Sequence, residues 1–299
     1  MHKSLAKNGL SHIHQIIHDI HDPLPKIEDY KIDYPCFVKP LAGSSSIGTN
    51  SINNYSELEN YFKHSAKYNN KHQNEQNKNK FLIAEYIEGQ EFIVDTFSIC
   101  GIHYISTIQK YYKETYNGHP IPYYVDIEND LNTKENVTSY VKNVLNATEY
   151  QNGLAHIELF ILPSGEIKLI EINARVSGGS GIVNKMSLLN GGIDQVGLLA
   201  KHVFNYNLIT SNIKQFKYIR HVLLYNFSKK PLYNLNGNLS KYKTFCEVLQ
   251  LVPDGHIIVS SLDLTISDTA TFVILCSNDI KSMENDTKSI MDQDKTGWH

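Results

Sequence analysis

Short apolar runs and strict alternations dominate the chain, and only a few stretches carry the three-to-four spacing of an amphipathic helix. The opening KSLAKNGLSHIHQIIH predicts a short helix stopped by Gly9, then an alternating strand from about Ser11 to His18. YPCFVKP, an apolar run bracketed by prolines, predicts a strand ending near Lys39, with the loop LAGSSSIGTN directly after it. YSELENYFKHSAKY has helical spacing, and Ser56 is its candidate cap. NNKHQNEQNKNK (69–80) holds no apolar residue, so burial cannot offset the entropy of ordering it, and it reads as a solvated loop. From residue 81 strands follow: FLIAEYI, then EFIVDTFSIC and GIHYISTIQKYY as a hairpin about Cys100-Gly101. KETYNGHPIPYY reads as a polar, aromatic loop and TKENVTSYVKNVLNA as a helix. GLAHIELFIL and IKLIEINAR read as two strands about the turn PSGE. GIDQVGLLAKHVF predicts a helix capped near Asp194. YIRHVLLYNF, HIIVSSLDL and TFVILCS predict strands, and IKSMENDTKSIMD a closing helix. This order predicts an α+β fold of mixed, largely antiparallel sheets with flanking helices.

Composition narrows the classes. A chain of 299 residues with 41% hydrophobic and 20% charged content can bury a core as one large domain or as two to three lobes. Twenty-eight basic against 31 acidic residues give a net charge of -3, which supplies no field to gather nucleic acid or an acidic membrane. Cys36, Cys100, Cys246 and Cys276 are far apart and form no Cys-x-x-Cys pair, which argues against a disulfide framework or zinc cluster and for a reducing compartment. The N-terminus lacks the apolar core of a signal peptide, and no window approaches the roughly 18 apolar residues of a membrane span. A soluble, cytoplasmic protein is the expectation.

The GLAHIELFIL/IKLIEINAR hairpin carries the most chemistry. With Ser164-Gly165 as its turn, residues whose numbers sum to 329 lie opposite one another, so Glu158 faces Glu171 and His156 faces Asn173. The two-residue period puts all four on one side of the sheet. Like charges directly opposite destabilise a ladder, and a partly buried carboxylate pair must take up a proton or find a counter-cation. Oxygen donors from two glutamates and an asparagine suit magnesium completed by phosphate oxygens better than zinc. A half-exposed hairpin with solvated glutamates is the plain alternative; Arg175 and the following VSGGSG weigh against it by adding phosphate-binding chemistry. His156 reads as a hydrogen-bonding neighbour of the carboxylates rather than a ligand.

Two further segments are weaker alone. Lys39 precedes a loop with Gly43, Ser44, Ser45, Ser46 and Gly48, whose small residues let backbone N–H groups approach a phosphate. It is not a P-loop, because the lysine comes before the glycines, and by itself it reads as an ordinary loop behind a snorkelling lysine. In FLIAEYIEGQEF a strand ends at Glu85, a hinge follows, and Glu91 opens the next strand. Such a hinge can grip adenine through backbone groups while a carboxylate beyond it binds ribose, although a β-turn with solvated glutamates explains it equally.

Taken in order, strand, Lys39 and its Gly/Ser loop, the hinge from Glu85 to Glu91, then Glu158, Glu171, Asn173 and Arg175 resemble the ATP-grasp superfamily over about residues 1–205. Gly118, His119 and Pro122, a GHxxP pattern, are similar to the L-amino acid ligase branch, which forms dipeptides. The resemblance implies ATP and magnesium, usually two ions, with manganese as a substitute. Lys39 would contact the phosphates and the loop with Ser44, Ser45 and Ser46 would fold over them. Glu85, Tyr86 and Ile87 would border adenine, with backbone groups from Glu85 and Ile87, and Glu91 would bind ribose. Glu158, Glu171 and Asn173 would hold the metal. Arg175 would stabilise the acyl phosphate and the tetrahedral intermediate, Gly178 and Gly179 would border the reacting carboxylate, and His119 would face the amino-acid pocket. Family members usually carry about a hundred further residues ahead of the opening helix, the size of one α/β lobe. Their first ATP-binding lysine normally sits at that junction, and here it is either missing or replaced by Lys3, which stands a few residues late.

These readings predict an ATP-dependent carboxylate–amine ligase acting on small-molecule substrates, an amino acid or other carboxylate plus an amine. The rivals are a non-catalytic ATP-binding subunit and an ATP-grasp ligase acting on a peptide or carrier-bound acid. The expected lobes are 1–90, 91–205 with the metal site, and a β-rich 206–299. The apolar face left without the extra lobe predicts either a homodimer or a separate subunit supplying that domain.

Overall fold

The computed structural model describes residues 1–41, 48–64, 77, 79–116, 119–206, 213–228, 230–250, 252–255 and 271–298. The chain divides into two compact units, one formed by Ser11–Gly89 with His2, the other by Lys3–Leu10 and Gln90–His299 with Met1. The expectation for 69–80 and the strand HIIVSSLDL lie almost wholly or entirely outside the described residues.

The smaller unit is a four-stranded antiparallel sheet in the order β1-β4-β2-β3, from β1 (Gln15–Asp19), β2 (Cys36–Pro40), β3 (Asn50–Ile52) and β4 (Lys80–Glu85). Alternation decides its inner face: Cys36 and Val38 of β2 and Phe81 and Ile83 of β4 are buried with Leu58 and Tyr61 of helix α2 (Tyr55–Lys63). The cap of α2 is Asn54, not Ser56: the Asn54 side chain accepts from the Glu57 N–H at 3.0 Å, and Asn53 N–H donates to Glu57 Oε2 at 2.9 Å. That is a reciprocal capping arrangement, and Ser56 already lies inside the helix. β1 is shorter than the sequence predicts, beginning at Gln15.

The larger unit opens with α1 (His2–Lys7), whose Leu5 is fully buried. Its sheet has eight antiparallel strands, ordered β11-β12-β10-β7-β6-β5-β8-β9. The central strands are β5 (Gln90–Ile99), β6 (Ile102–Tyr116), β7 (His119–Ile127), β8 (Gly153–Ile161) and β9 (Ile167–Asn173). β10 (Tyr218–Leu224), β11 (Phe245–Gln250) and β12 (Thr271–Ser277) continue the same sheet, so the strands of 206–299 extend the layer built by 90–173. The β5–β6 turn at Cys100-Gly101 has φ of +50° and +75°, the paired positive values of a two-residue hairpin turn. Residues 113–116 and 119–124, expected as loop, instead form the ends of β6 and β7. Aromatic and β-branched side chains (Tyr111, Tyr112, Tyr123, Val125) favour a strand there over the loop suggested by Gly118 and the prolines.

Helices cover both faces. Val137, Val141, Val144 and Leu145 of α3 (Leu131–Ala147) pack on Phe92, Val94, Ile157 and Leu159. Ile182, Val183 and Met186 of α4 (Ile182–Leu189) pack on β7, β10 and β12, and Met283 and Ile290 of α7 (Ile280–Thr296) pack on the opposite face. α5 (Gln195–Phe204) starts at Asp194, whose carboxylate accepts from the Gly197 N–H at 2.6 Å, as its sequence predicts. The short α6 (Leu235–Leu239) buries Leu235 and Leu239. Among the described residues no helix is long and apolar enough to cross a membrane.

Candidate active site

The β8–β9 hairpin pairs Glu158 with Glu171 and His156 with Asn173, the expected partners. It reaches that register by a different route. Near the turn the pairs are Ile161 with Ile167, Phe160 with Lys168 and Leu159 with Leu169, one residue off the expected sum, and a bulge between Glu158 and Leu159 restores it. The turn is wider at its base than a two-residue loop: Leu162 N–H donates to Glu166 O, and Gly165, at φ +85°, donates to Leu162 O. Without the bulge the carboxylates would point to opposite faces.

The donor set is compact. Asn173 Nδ2 donates to Glu171 Oε1 at 2.8 Å. Glu158 Oε1 lies 3.7 Å from His156 Nε2. Among the described residues no group of three or more His, Cys, Asp or Glu forms a metal-binding cluster, so a cation here would rely on the two carboxylates and the asparagine oxygen. All are hard oxygen donors, partly buried on one face, and the like-charged pair gains from a cation; the set therefore fits magnesium.

Behind this pair runs a buried polar network. Asp95, fully buried on β5, pairs with His156 across the sheet and accepts from His156 Nδ1 at 2.8 Å. Its other oxygen accepts from Gln109 Nε2 at 3.1 Å and from the Thr107 hydroxyl at 3.4 Å. Ser177 Oγ lies 3.3 Å from the same histidine nitrogen. Gln195, also fully buried, accepts from Ser177 N–H at 2.8 Å and donates to Thr96 O and Ala155 O at 3.0 Å. This fixes the loop after Arg175 to the sheet that carries the carboxylates. Asp95 and Gln195 escape sequence reasoning. The signal for Asp95 was its place inside the apolar run FIVDTF, where an ionisable side chain requires partners.

The remaining candidates stand as follows. Arg175 is exposed; its guanidinium donates to Val176 O at 3.0 Å, and its own N–H closes a tight turn onto Asn173 O at 2.8 Å. Gly178 is extended, and an added Cβ would meet Arg175 Nη1 at 3.8 Å; at Gly179, with φ +66°, it would meet Ile182 at 3.1 Å. A side chain at Gly179 would therefore strain both backbone and packing. Lys39 is half-buried near the end of β2, opposite Leu82. Ser44, Ser45 and Ser46 lie outside the described residues, as does the side chain of His119 at the start of β7. Glu85 closes β4 with its carboxylate accepting from His14 N–H at 2.9 Å; Tyr86 is exposed and Ile87 half-buried. Glu91 forms an ion pair with Lys113.

The ATP-grasp domain model matches residues 32–184. Dapdiamide A synthase of Enterobacter agglomerans is 25% identical over 182 residues, covering 60% of this chain and 42% of that protein. The L-arginine-specific L-amino acid ligase of Bacillus subtilis is 28% identical over 156 residues, covering 50% and 36%. The crystal structure of an L-amino acid ligase from Bacillus licheniformis superimposes with a TM-score of 0.74 at 18% identity, over 97% of this chain and 70% of that one. The chain thus spans 36–42% of the length of the curated relatives it matches. Because the domain match takes in more than half of the chain, the chain belongs to the ATP-grasp family.

Proposed function

We propose that the protein is an ATP-dependent carboxylate–amine ligase that forms an amide or peptide bond through an acyl phosphate and releases ADP and phosphate. The observation that carries this reading is the apposition of Glu158 and Glu171, with Asn173 hydrogen-bonded to Glu171, in a chain of the ATP-grasp family. The named ligases among its relatives support the same class of reaction.

Glu158, Glu171 and Asn173 would hold magnesium, which supplies charge neutralisation on the phosphates when bound. A substrate carboxylate oxygen attacks the γ-phosphorus, and the bond to the β-phosphate bridging oxygen breaks to release ADP. Lys39 spreads the charge on the transferring phosphoryl group. The amine nitrogen then adds to the acyl carbon, loses a proton, and phosphate departs. Arg175 suits this second step because its planar, permanently charged fork can hold both the departing phosphate and the oxyanion. The Asp95–His156 and Gln195–Ser177 links position rather than react: they hold β8 and the Arg175–Gly179 loop in one arrangement. Glu85, Tyr86 and Ile87 take the adenine, Glu91 the ribose, Gly178 and Gly179 the reacting carboxylate, and His119 the amino acid.

The test is ADP release by purified protein given ATP, magnesium and pairs of amino acids. Phosphate and a new amide in equal amounts are the expected products. ATP binding without turnover under every acid and amine offered would replace the ligase with a nucleotide-binding subunit.

A further inference from the structure

The large sheet brings together two cysteines that the sequence holds far apart. β11 and β12 pair Phe245 with Leu275 and Glu247 with Ile274, two steps on one strand against one on the other, so Cys246 is the extra residue of a bulge. Cys276 stands beside it on β12, where its N–H donates to Thr244 O at 2.7 Å. The side chains meet as well, as a pair of thiols hydrogen-bonded to each other. Their surroundings differ: Cys276 is buried in the cluster that holds Ile182, Val183 and Met186 of α4, whereas Cys246 is exposed.

Two thiols in contact can share a metal ion or share a covalent bond. A zinc site takes three or four protein ligands, and among the described residues no group of three or more His, Cys, Asp or Glu is placed to hold an ion. The electrostatics suits the covalent bond. The Cys246 thiol is drawn down to about 7, chiefly by the Cys276 thiol that donates to it, with Lys185 of α4 and Lys214 adding to the pull against desolvation and the Glu247 carboxylate. Cys276 is pushed up by the same hydrogen bond and by burial. The exposed partner is therefore the nucleophile, and the buried one is the thiol that resolves it.

We propose that Cys246 and Cys276 are a reversible redox pair, oxidised to a disulfide between β11 and β12 by a small hydroperoxide, at a site separate from the ligase centre. The Cys246 thiolate attacks one peroxide oxygen, the O–O bond breaks, and the other oxygen takes up the proton Cys246 had lost and leaves as water (or as the alcohol of an organic peroxide). The Cys276 sulfur then attacks the Cys246 sulfenic sulfur, the S–S bond forms as the S–O bond breaks, and the departing hydroxide carries the Cys276 proton away as water. Two thiols lose two electrons and two protons, and the peroxide takes up both.

The test treats the reduced full chain with one equivalent of hydrogen peroxide under native conditions, then unfolds it in iodoacetamide and maps the peptides by mass spectrometry. Two of the four thiols should be lost to one cross-linked peptide pair joining Cys246 to Cys276, and dithiothreitol should restore both. Cys100→Ala, which removes the other exposed cysteine, should leave the cross-link unchanged. Cys246→Ala, a change at an exposed position, should abolish it and leave the remaining thiols free. In Cys276→Ala, dimedone should trap a sulfenic acid on Cys246; should that core variant not fold, the other two variants decide the matter. Four free thiols after peroxide, oxidation of Cys100 in preference to Cys246, or a link between two chains in place of the internal one would each overturn the proposal. The ligase reading is tested separately, by ADP release.

Discussion

The eight-stranded sheet carries two charge clusters that are resolved in opposite ways. On β10 and β7, Arg220 is 2% exposed and faces Asp126 as a cross-strand pair. Its guanidinium grips Asp126 bidentately at 2.6 and 2.8 Å, reaches Glu284 of α7 at 2.9 Å and the Thr287 hydroxyl at 3.0 Å, and stacks 3.9 Å from the Tyr124 ring centre. Every polar direction of the arginine is used, and β10, β7 and α7 are joined. Burial pushes the Asp126 carboxyl above the usual range even though the guanidinium beside it pulls the other way. On β8 and β9 the cross-strand pair is Glu158 with Glu171, two groups of the same sign. The first cluster sets opposite charges against one another across the strands; the second sets two like charges opposite each other. Opposite charges paired across strands serve the fold, whereas a facing pair of like charges gains from a bound cation.

Breaking each cluster should therefore have opposite consequences. Arg220→Met leaves the partly buried Asp126 without its cation and the exposed Glu284 without its partner, and the stability of the larger unit should fall by about 3–5 kcal/mol, measured by urea denaturation. A loss below about 1 kcal/mol would show the network to be as weak as an exposed ion pair. Glu171→Gln removes one of two facing negative charges, so unliganded stability should hold or rise slightly, by under about 1 kcal/mol. Magnesium-dependent ADP release should nonetheless fall by about a hundredfold or more. Wild-type turnover in Glu171→Gln at ordinary magnesium would remove the metal assignment.

A third buried carboxylate sharpens the contrast through pH. Asp294 of α7 is fully buried and accepts from the N–H groups of Tyr225 and Asn226 at 3.0 and 2.9 Å and from the Tyr123 hydroxyl at 3.2 Å. Burial outweighs these donors and pushes its carboxyl up to about 6. The folded chain thus holds this proton more tightly than the unfolded one, so the contribution is full below about 4 and is lost as pH rises to about 6. Relative to Asp294→Asn, which has no proton to lose, the wild-type advantage should shrink by about 2–3 kcal/mol between pH 4 and pH 7. An advantage that grows over that window would mean that the hydrogen bonds prevail over desolvation.

What was legible in the sequence followed from local rules. Alternation located the strands, the run of valines located α3, Asp194 located the start of α5, and the number of residues around Ser164-Gly165 located the facing glutamates to within one position. These signals are local because the period of a strand, the spacing of a helix and the geometry of a cap each involve a few neighbouring residues. Even there competition intervened: Asn54 displaced Ser56 as a cap, and strand-favouring aromatics around 111–124 prevailed over a Gly/Pro loop signal. The two glutamates face one another because of a bulge that no turn count contains. The partners of Asp95, the bridge made by Gln195 and the closed shell around Arg220 depend on residues 12 to 99 positions apart meeting across strands. Which charges are balanced is a property of the packed sheet, because only packing decides which groups lose their water together.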